Sequence, residues 1–203
     1  MSDDKPSNKL FRNLAIFLGI AFLLAIIFPM IYVRYAPTDF ASLKSADWKT
    51  VRLGYPLLEI ETPVPLENES RKPSEEEREF FEYQQRFVYE DGRDFKLIAT
   101  TVNYNRHVYI DPNAVEQSVQ GYGQQFGAKD IRFTSSDVVL NELPGKRIDG
   151  TFTIGSRKLA FTRISLEYKY VVRDLLVVYR DQDADGLAVR DRIVKSLKLD
   201  NNY

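Results

Sequence analysis

The sequence predicts an α+β protein in which a single N-terminal transmembrane helix precedes an antiparallel sheet flanked by helices. Three observations predict this class. Residues 13–33 form an uncharged apolar run. Further along, a series of period-two segments is separated by Gly and Pro turns, and two amphipathic helical patterns stand apart from them. Runs of strands with segregated helices are typical of α+β domains.

The composition excludes several classes of protein. The chain has 203 residues, 44% of them hydrophobic and 28% charged, which allows one packed domain with an appendage and excludes wholesale disorder. It has no cysteine, so disulfides, thiolate metal sites and thiol catalysis are excluded. The net charge of -1 argues against nucleic acid as a partner, because phosphate neutralisation requires a basic surface.

The apolar run predicts a membrane anchor at residues 13–34. At 1.5 Å per residue it extends roughly 30 Å, enough to cross a hydrocarbon core. The following sequence MIYVRYAP offers no small-x-small cleavage site, which favours a retained span over a cleaved signal peptide. Gly19, Ala21 and Ala25 are small enough for a second helix to pack closely in the bilayer.

The charges beside the span predict its orientation. Lys5, Lys9 and Arg12 precede it, so we expect residues 1–12 to be a cytoplasmic tail. Residues 35–47 are then a polar tether, and residues 48–203 an extracytoplasmic domain, periplasmic or equivalent.

Strands dominate the predicted domain. Apolar residues between 51 and 61 indicate a first extended segment, and Ser74 and Glu77 have capping-box spacing within a surface loop. Residues 81–90 alternate aromatic and polar side chains, and Asp91-Gly92 predicts a hairpin turn into a partner strand at 95–104. Four further strands are predicted at 131–140, 146–154, 158–167 and 174–180.

Two helices complete the prediction. Residues 112–126 follow a capping Asp111 and end at Gly127, and the last helix covers residues 186–197. Gly121 and Gly123 each weaken the first helix by roughly 1 kcal/mol relative to Ala, which predicts close packing of a strand there.

Two stretches of the domain resemble a known family. They read GYPLLEIETPVP near the start and LPGKRIDGTFTIGSRKLAFTRISLEYKYVVRDLLVVYRD before a helix ending in IVKSLKL. Over Trp48–Leu199 this order is similar to the PsbP-like domain superfamily. The resemblance implies an antiparallel α/β/α sandwich and a non-enzymatic binding or accessory protein, often docked to a membrane complex.

One segment has the spacing of a calcium loop. Asp181, Asp183 and Asp185 lie on alternate residues before Gly186, so their carboxylates could converge on Ca²⁺. Position twelve of that loop is Arg192 instead of a bidentate acid. The alternative interpretation is a solvated connector whose acids cap the final helix. No other cofactor is predicted.

The remaining candidates concern catalysis and partner binding. His107 is the single histidine and has no G-x-S-x-G motif to accompany it, so we predict no catalytic residue and no enzyme. Tyr104, Tyr109 and Tyr170 lie near predicted strand ends and are the candidate partner-binding anchors.

These observations lead to one function and its alternatives. The first is a membrane-anchored, non-catalytic interaction module, serving as an accessory subunit or assembly factor of a membrane protein complex. The alternatives are a small-ligand or Ca²⁺ binding domain and a carboxylate-based hydrolase.

Overall fold

The computed structural model describes residues 37–53, 58–105, 117–121, 123, 127–140 and 142–199. The predicted span at 13–34, with Gly19, Ala21 and Ala25, lies outside the described residues. Within those described ranges, no helix is long and apolar enough to cross a membrane.

The domain contains ten strands, two α-helices and a 3-10 helix among the described residues. In chain order these are α1 (Phe40–Ser45), β1 (Lys49–Leu53), β2 (Leu58–Thr62), β3 (Glu67–Asn68), the 3-10 helix (Glu77–Glu79), β4 (Phe81–Glu90), β5 (Lys96–Tyr104), β6 (Lys129–Leu140), β7 (Leu143–Ile154), β8 (Arg157–Tyr168), β9 (Val171–Arg180), α2 (Ala184–Ser196) and β10 (Lys198–Leu199). Residues 117–121 and 123 are also helical, and we call them the helical segment.

The strands form two antiparallel sheets. The larger has the order β3-β4-β5-β9-β8-β7-β6, and the smaller has the order β1-β2-β10. Every recorded strand pair is antiparallel. The predicted antiparallel α+β fold of the domain is therefore confirmed.

Alternation of side chains gives the large sheet two packed faces. One face carries Leu97, Leu175 and Val177, which pack in the main core with Ile60 and Ile193 from the small sheet and α2. The opposite face forms a second apolar cluster, in which Val119 of the helical segment packs against Ile148, Leu159, Phe161 and Val178. The sheet is thus the middle layer of the domain.

Most of the segment predicted as a tether, residues 35–47, is part of the folded domain. From Thr38 onward the chain belongs to the domain, and α1 buries Phe40 to 2% exposure. Phe40 contacts the Phe95 ring edge-on, with 5.7 Å between centroids. The sequence pattern missed this helix because six residues with one buried apolar side chain have no detectable periodicity.

The helix predicted at 112–126 is helical where it is described. A Cβ on Gly123 would lie 2.4 Å from Ile131 Cδ1, so close packing of β6 at this glycine is confirmed. A Cβ on Gly121 would meet nothing within 4 Å, so the same prediction was wrong for Gly121.

Candidate functional site

A cavity of about 360 Å³ lies between the large sheet and the helical segment. Its lining is mainly apolar and comes from segments far apart in the sequence. The strands contribute Ile98, Phe152, Leu159, Leu176 and Val178, and the helical segment contributes Val119.

Charged residues line the two ends of the cavity. At one end are Arg93, Asp94 and Arg157, beside the β4–β5 hairpin. At the other end Thr100 on β5 lies opposite Asp174 on β9. Lys96 and Thr100 mark the two ends along β5, four residues apart, so the apolar stretch between them is about 13 Å long.

The far end is held by a hydrogen-bonded cluster. Arg163 donates from Nε and Nη2 to the two Asp174 carboxylate oxygens, both at 3.1 Å. Its Nη1 also donates to Ser118 Oγ at 2.5 Å, and Ser165 Oγ donates to Asp174. Arg163 therefore connects the helical segment to the sheet.

The hairpin end is held by Asp94, which is 5% exposed. Asp94 Oδ2 accepts hydrogen bonds from Arg180 Nε at 3.2 Å and Nη2 at 3.0 Å, and from the Thr38 backbone N–H at 3.3 Å. The Thr38 hydroxyl donates to Asp91. The point where the chain enters the domain is thus fastened to the hairpin.

Two of the three predicted partner anchors lie together at the opposite end of the sheet. The Tyr104 backbone N–H donates to the Tyr170 carbonyl oxygen at 2.7 Å. Tyr170 is 47% exposed. Tyr104 is half-buried, and burial raises the pKa of its phenol. Tyr109 lies outside the described residues.

Sequence reasoning missed two other aromatic residues at this end. Phe80 is 63% exposed and Tyr168 is 40% exposed. Phe80 immediately precedes β4, and Tyr168 is the last residue of β8. Only their position at strand ends could have indicated them. We call Phe80, Tyr168 and Tyr170 the aromatic end.

Arg173 is a buried cation with unpartnered atoms. It is 4% exposed, and its Nε and Nη1 have no hydrogen-bond partner. Burial lowers the pKa of its guanidinium, and the nearby Tyr83 partly offsets this. Arg173 lies opposite Thr101, which lies opposite Gln85, and the Gln85 Oε1 also lacks a partner.

The structure does not bring the calcium-loop carboxylates together. Asp181 pairs with Lys158 at 2.7 Å, and Asp185 pairs with Lys44 at 2.8 Å. Asp183 accepts the Gly186 backbone N–H at 2.9 Å and so caps α2. In the part of the chain that is described, no group of three or more His, Cys, Asp or Glu side chains could hold a metal ion. His107 lies outside that part.

The comparisons with known proteins bear on the fold. The sequence matches no family model and no curated protein. The solution structure of PsbP from the cyanobacterium Synechocystis matches with a TM-score of 0.50 and 8% identity, over 76% of this chain and 94% of that one. LpqN of Mycobacterium tuberculosis, described as involved in cell envelope biogenesis, matches with a TM-score of 0.44 and 14% identity, over 80% of this chain and 96% of that one. The match to cyanobacterial PsbP supports the PsbP-like fold that the sequence resemblance predicts for the domain.

Proposed function

We propose that this chain is a membrane-anchored, non-catalytic interaction module, an accessory subunit or assembly factor of a membrane protein complex. The observation that carries the proposal is the aromatic end, where Phe80, Tyr168 and Tyr170 expose large aromatic rings at the same end of the large sheet. Exposed aromatic groups on a rigid element are the usual anchors of protein interfaces. The fold shared with PsbP is consistent with a binding role, and the description of LpqN concerns the cell envelope.

The anchor belongs to the same proposal. A span at residues 13–34 would restrict the domain to one membrane face and raise its effective concentration for a membrane-embedded partner. Modest contacts at the aromatic end would then suffice. We place residues 1–12 in the cytoplasm and the domain on the other side of the membrane.

Co-purification tests the interaction. The full-length chain, tagged at its C-terminus, is extracted in mild detergent and its partners are identified. We expect a stoichiometric membrane complex that the double variant Phe80→Ala/Tyr170→Ala loses. Leu187→Ala is the matched control, because Leu187 is 41% exposed on α2. Recovery of the wild-type chain alone in several detergents would contradict the proposal.

The bilayer contact is tested separately. Gly19→Leu/Ala25→Leu should weaken capture of the complex while membrane insertion is unchanged, because bulky side chains prevent close helix packing. Unchanged capture would remove these residues from the interface.

The lack of native cysteine allows a direct test of topology. Ser2→Cys and Ser156→Cys each introduce one thiol, the second at an exposed turn. We expect a membrane-impermeant maleimide to label Ser156→Cys in intact cells and to label Ser2→Cys only after lysis. The reverse pattern would show the opposite orientation.

The cavity favours a second candidate function, the binding of a small ligand. Its volume of about 360 Å³ and mainly apolar lining lie within the usual range for ligand pockets. A ligand that binds only the folded state would raise the thermal unfolding temperature of the chain.

A further inference from the structure

We propose that the cavity binds an anionic amphiphile, whose apolar chain lies along the strand face and whose head group pairs with Arg157. The inference deepens the small-ligand candidate and rests on it. It also names the ligand chemistry and the residue that selects it.

The apolar part of the ligand follows from the shape of the cavity. Leu159, Leu176 and Val178 lie on the same face of adjacent strands and form a continuous apolar floor. The floor is about 13 Å long between its charged ends. A single extended hydrocarbon chain would bury apolar surface over this whole length, which is the main favourable term in such binding.

The acids that line the cavity are already neutralised. Asp174 is held by Arg163, and Asp94 by Arg180. Glu90 pairs with Lys96 at 2.7 Å. These carboxylates therefore do not set up a site for a cationic head group.

Among the cations that line the cavity, Arg157 has the longest recorded ion-pair distance, 3.8 Å. Its side chain is 45% exposed, and its Nη1 donates one hydrogen bond, to the Arg93 carbonyl oxygen. Asp94 is its nearest recorded acid, at 3.8 Å, and that carboxylate also receives two hydrogen bonds from Arg180. A guanidinium has five N–H donors, so Arg157 retains donors for a carboxylate or phosphate head group.

The strand supplies a matched control beside Arg157. Lys158 is the next residue, and alternation places its side chain on the other face of β8. It pairs with Asp181 at 2.7 Å and does not line the cavity. Removing either charge changes the net charge equally, but only Arg157 faces the cavity.

Photolabelling of the full-length chain in lipid nanodiscs tests the proposal. The probes are decanoate carrying a diazirine and the corresponding decanol, and the adducts are located by mass spectrometry of peptides. We expect both probes to label peptides from β8 and β9, with decanoate labelling saturating at lower concentration. Unlabelled decanoate and decyl phosphate serve as competitors. The compound that competes at the lower concentration shows whether the site prefers a carboxylate or a phosphate head group.

Variants separate the two parts of the inference. Arg157→Gln should raise the half-saturating concentration of decanoate roughly tenfold, since charged hydrogen bonds contribute strongly to binding, and leave decanol unchanged. Lys158→Gln should change neither. Leu176→Trp should reduce labelling by both probes because the indole ring fills the cavity. If Leu176→Trp fails to fold, Arg157→Gln still tests the site, because Arg157 lies at an exposed position.

The contrary outcomes are distinct. Equal labelling of β8 and β9 by the two probes, unaffected by Arg157→Gln, would overturn the anionic head group and leave the small-ligand candidate standing. Labelling confined to residues 13–34 would overturn both. If the chain is recovered from cells without detergent, the proposed membrane anchor is wrong. The same labelling experiment in aqueous buffer then still tests whether the cavity binds an anionic amphiphile.

Discussion

Arg173 is a cation that is buried without full hydrogen bonding. A guanidinium with two unpartnered nitrogen atoms is held at 4% exposure. In the same row across the sheet, beyond Thr101, a buried Gln85 oxygen also lacks a partner. Burying a charge without a compensating partner costs free energy, because the interior replaces few of its hydrogen bonds to water. The fold therefore tolerates a local destabilisation at this position.

Arg173→Met should stabilise the domain. Methionine keeps much of the side-chain volume and removes the buried charge, so we expect the free energy of unfolding to rise by about 1 kcal/mol or more. Urea unfolding followed by fluorescence of the single tryptophan, Trp48, measures this. Arg52→Met is the control, since that side chain is 69% exposed and should change stability by less than about 0.5 kcal/mol. Destabilisation by Arg173→Met would indicate that the charge is satisfied.

Glu77 should titrate far below an ordinary glutamate. Hydrogen bonds from Arg71 and from the Ser74 backbone lower its pKa from 4.5 to about 2. A lowered pKa means that the contribution of Glu77 to stability is complete above pH 4.5 and is lost as the pH falls toward 2. An NMR titration of the Glu77 carboxyl carbon should show this pKa, and Arg71→Gln should return it toward 4.5. A titration near 4.5 in the wild-type chain would contradict the ion pair.

At the level of elements, the two hydrogen bonds expected of the Ser74–Glu77 capping box are present. Ser74 N–H donates to Glu77 Oε2 at 2.9 Å, and Glu77 N–H donates to Ser74 Oγ at 3.3 Å. The segment forms one 3-10 turn, as its spacing predicts. Local hydrogen bonds of this kind can be predicted because both partners lie within four residues.

Gly150 on β7 and Gly121 in the helical segment should respond oppositely to alanine. A Cβ on Gly150 would lie 2.4 Å from the Arg132 carbonyl oxygen and 2.6 Å from the Phe161 ring, so Gly150→Ala should destabilise the domain by about 1–3 kcal/mol. A Cβ on Gly121 would meet nothing within 4 Å, so Gly121→Ala should stabilise it by about 0.5–1 kcal/mol. Thermal unfolding of both variants measures the difference, and equal shifts would contradict these contacts.

Calcium should not stabilise the connector between β9 and α2. Each aspartate of the connector already has its own partner: Lys158 for Asp181, the α2 N-terminus for Asp183 and Lys44 for Asp185. If the three carboxylates converged on a cation, these three interactions would be broken. We expect millimolar Ca²⁺ to leave the thermal unfolding temperature unchanged relative to Mg²⁺. A Ca²⁺-specific rise would restore the calcium-loop interpretation.

At the level of the whole molecule, the segment before the first strand contributes to the core. Phe40 packs against Phe95 and lies 5.6 Å from the Arg180 guanidinium. Arg180 also donates to the Thr38 carbonyl oxygen and to Asp94. These contacts join the start of the domain to β9 and to the hairpin.

Phe40→Ala should therefore destabilise the full-length chain strongly. Removing a buried phenyl ring leaves a cavity, and we expect a loss of about 3–5 kcal/mol in the free energy of unfolding. Phe80→Ala is the matched control, because Phe80 is 63% exposed and should cost little. Equal losses in urea unfolding would show that residues 38–45 act only as a tether.

The large strands could be predicted because their signals are local. Period-two alternation and turn residues such as Gly92 and Gly155, both with positive φ, are read from neighbouring residues. The buried face of α2 follows from local spacing in the same way, because Val189 and Ile193 lie four residues apart on one side of the helix.

The candidate sites could be predicted only in part. Tyr170 is exposed as expected, but its grouping with Phe80 depends on the pairing of strands that are distant in sequence. The cavity could not be predicted, because its lining comes from strands β4 to β9 and from the helical segment.

The sequence by itself determined that the domain is an antiparallel α+β structure and where its main strands turn, since these depend on residues a few positions apart. Only the tertiary structure decided the strand order, the burial of Phe40 and Arg173, and the separate partners of the three aspartates. It also placed Arg157 at the end of an apolar cavity. Each of these depends on contacts between residues far apart in the chain, which no local pattern records.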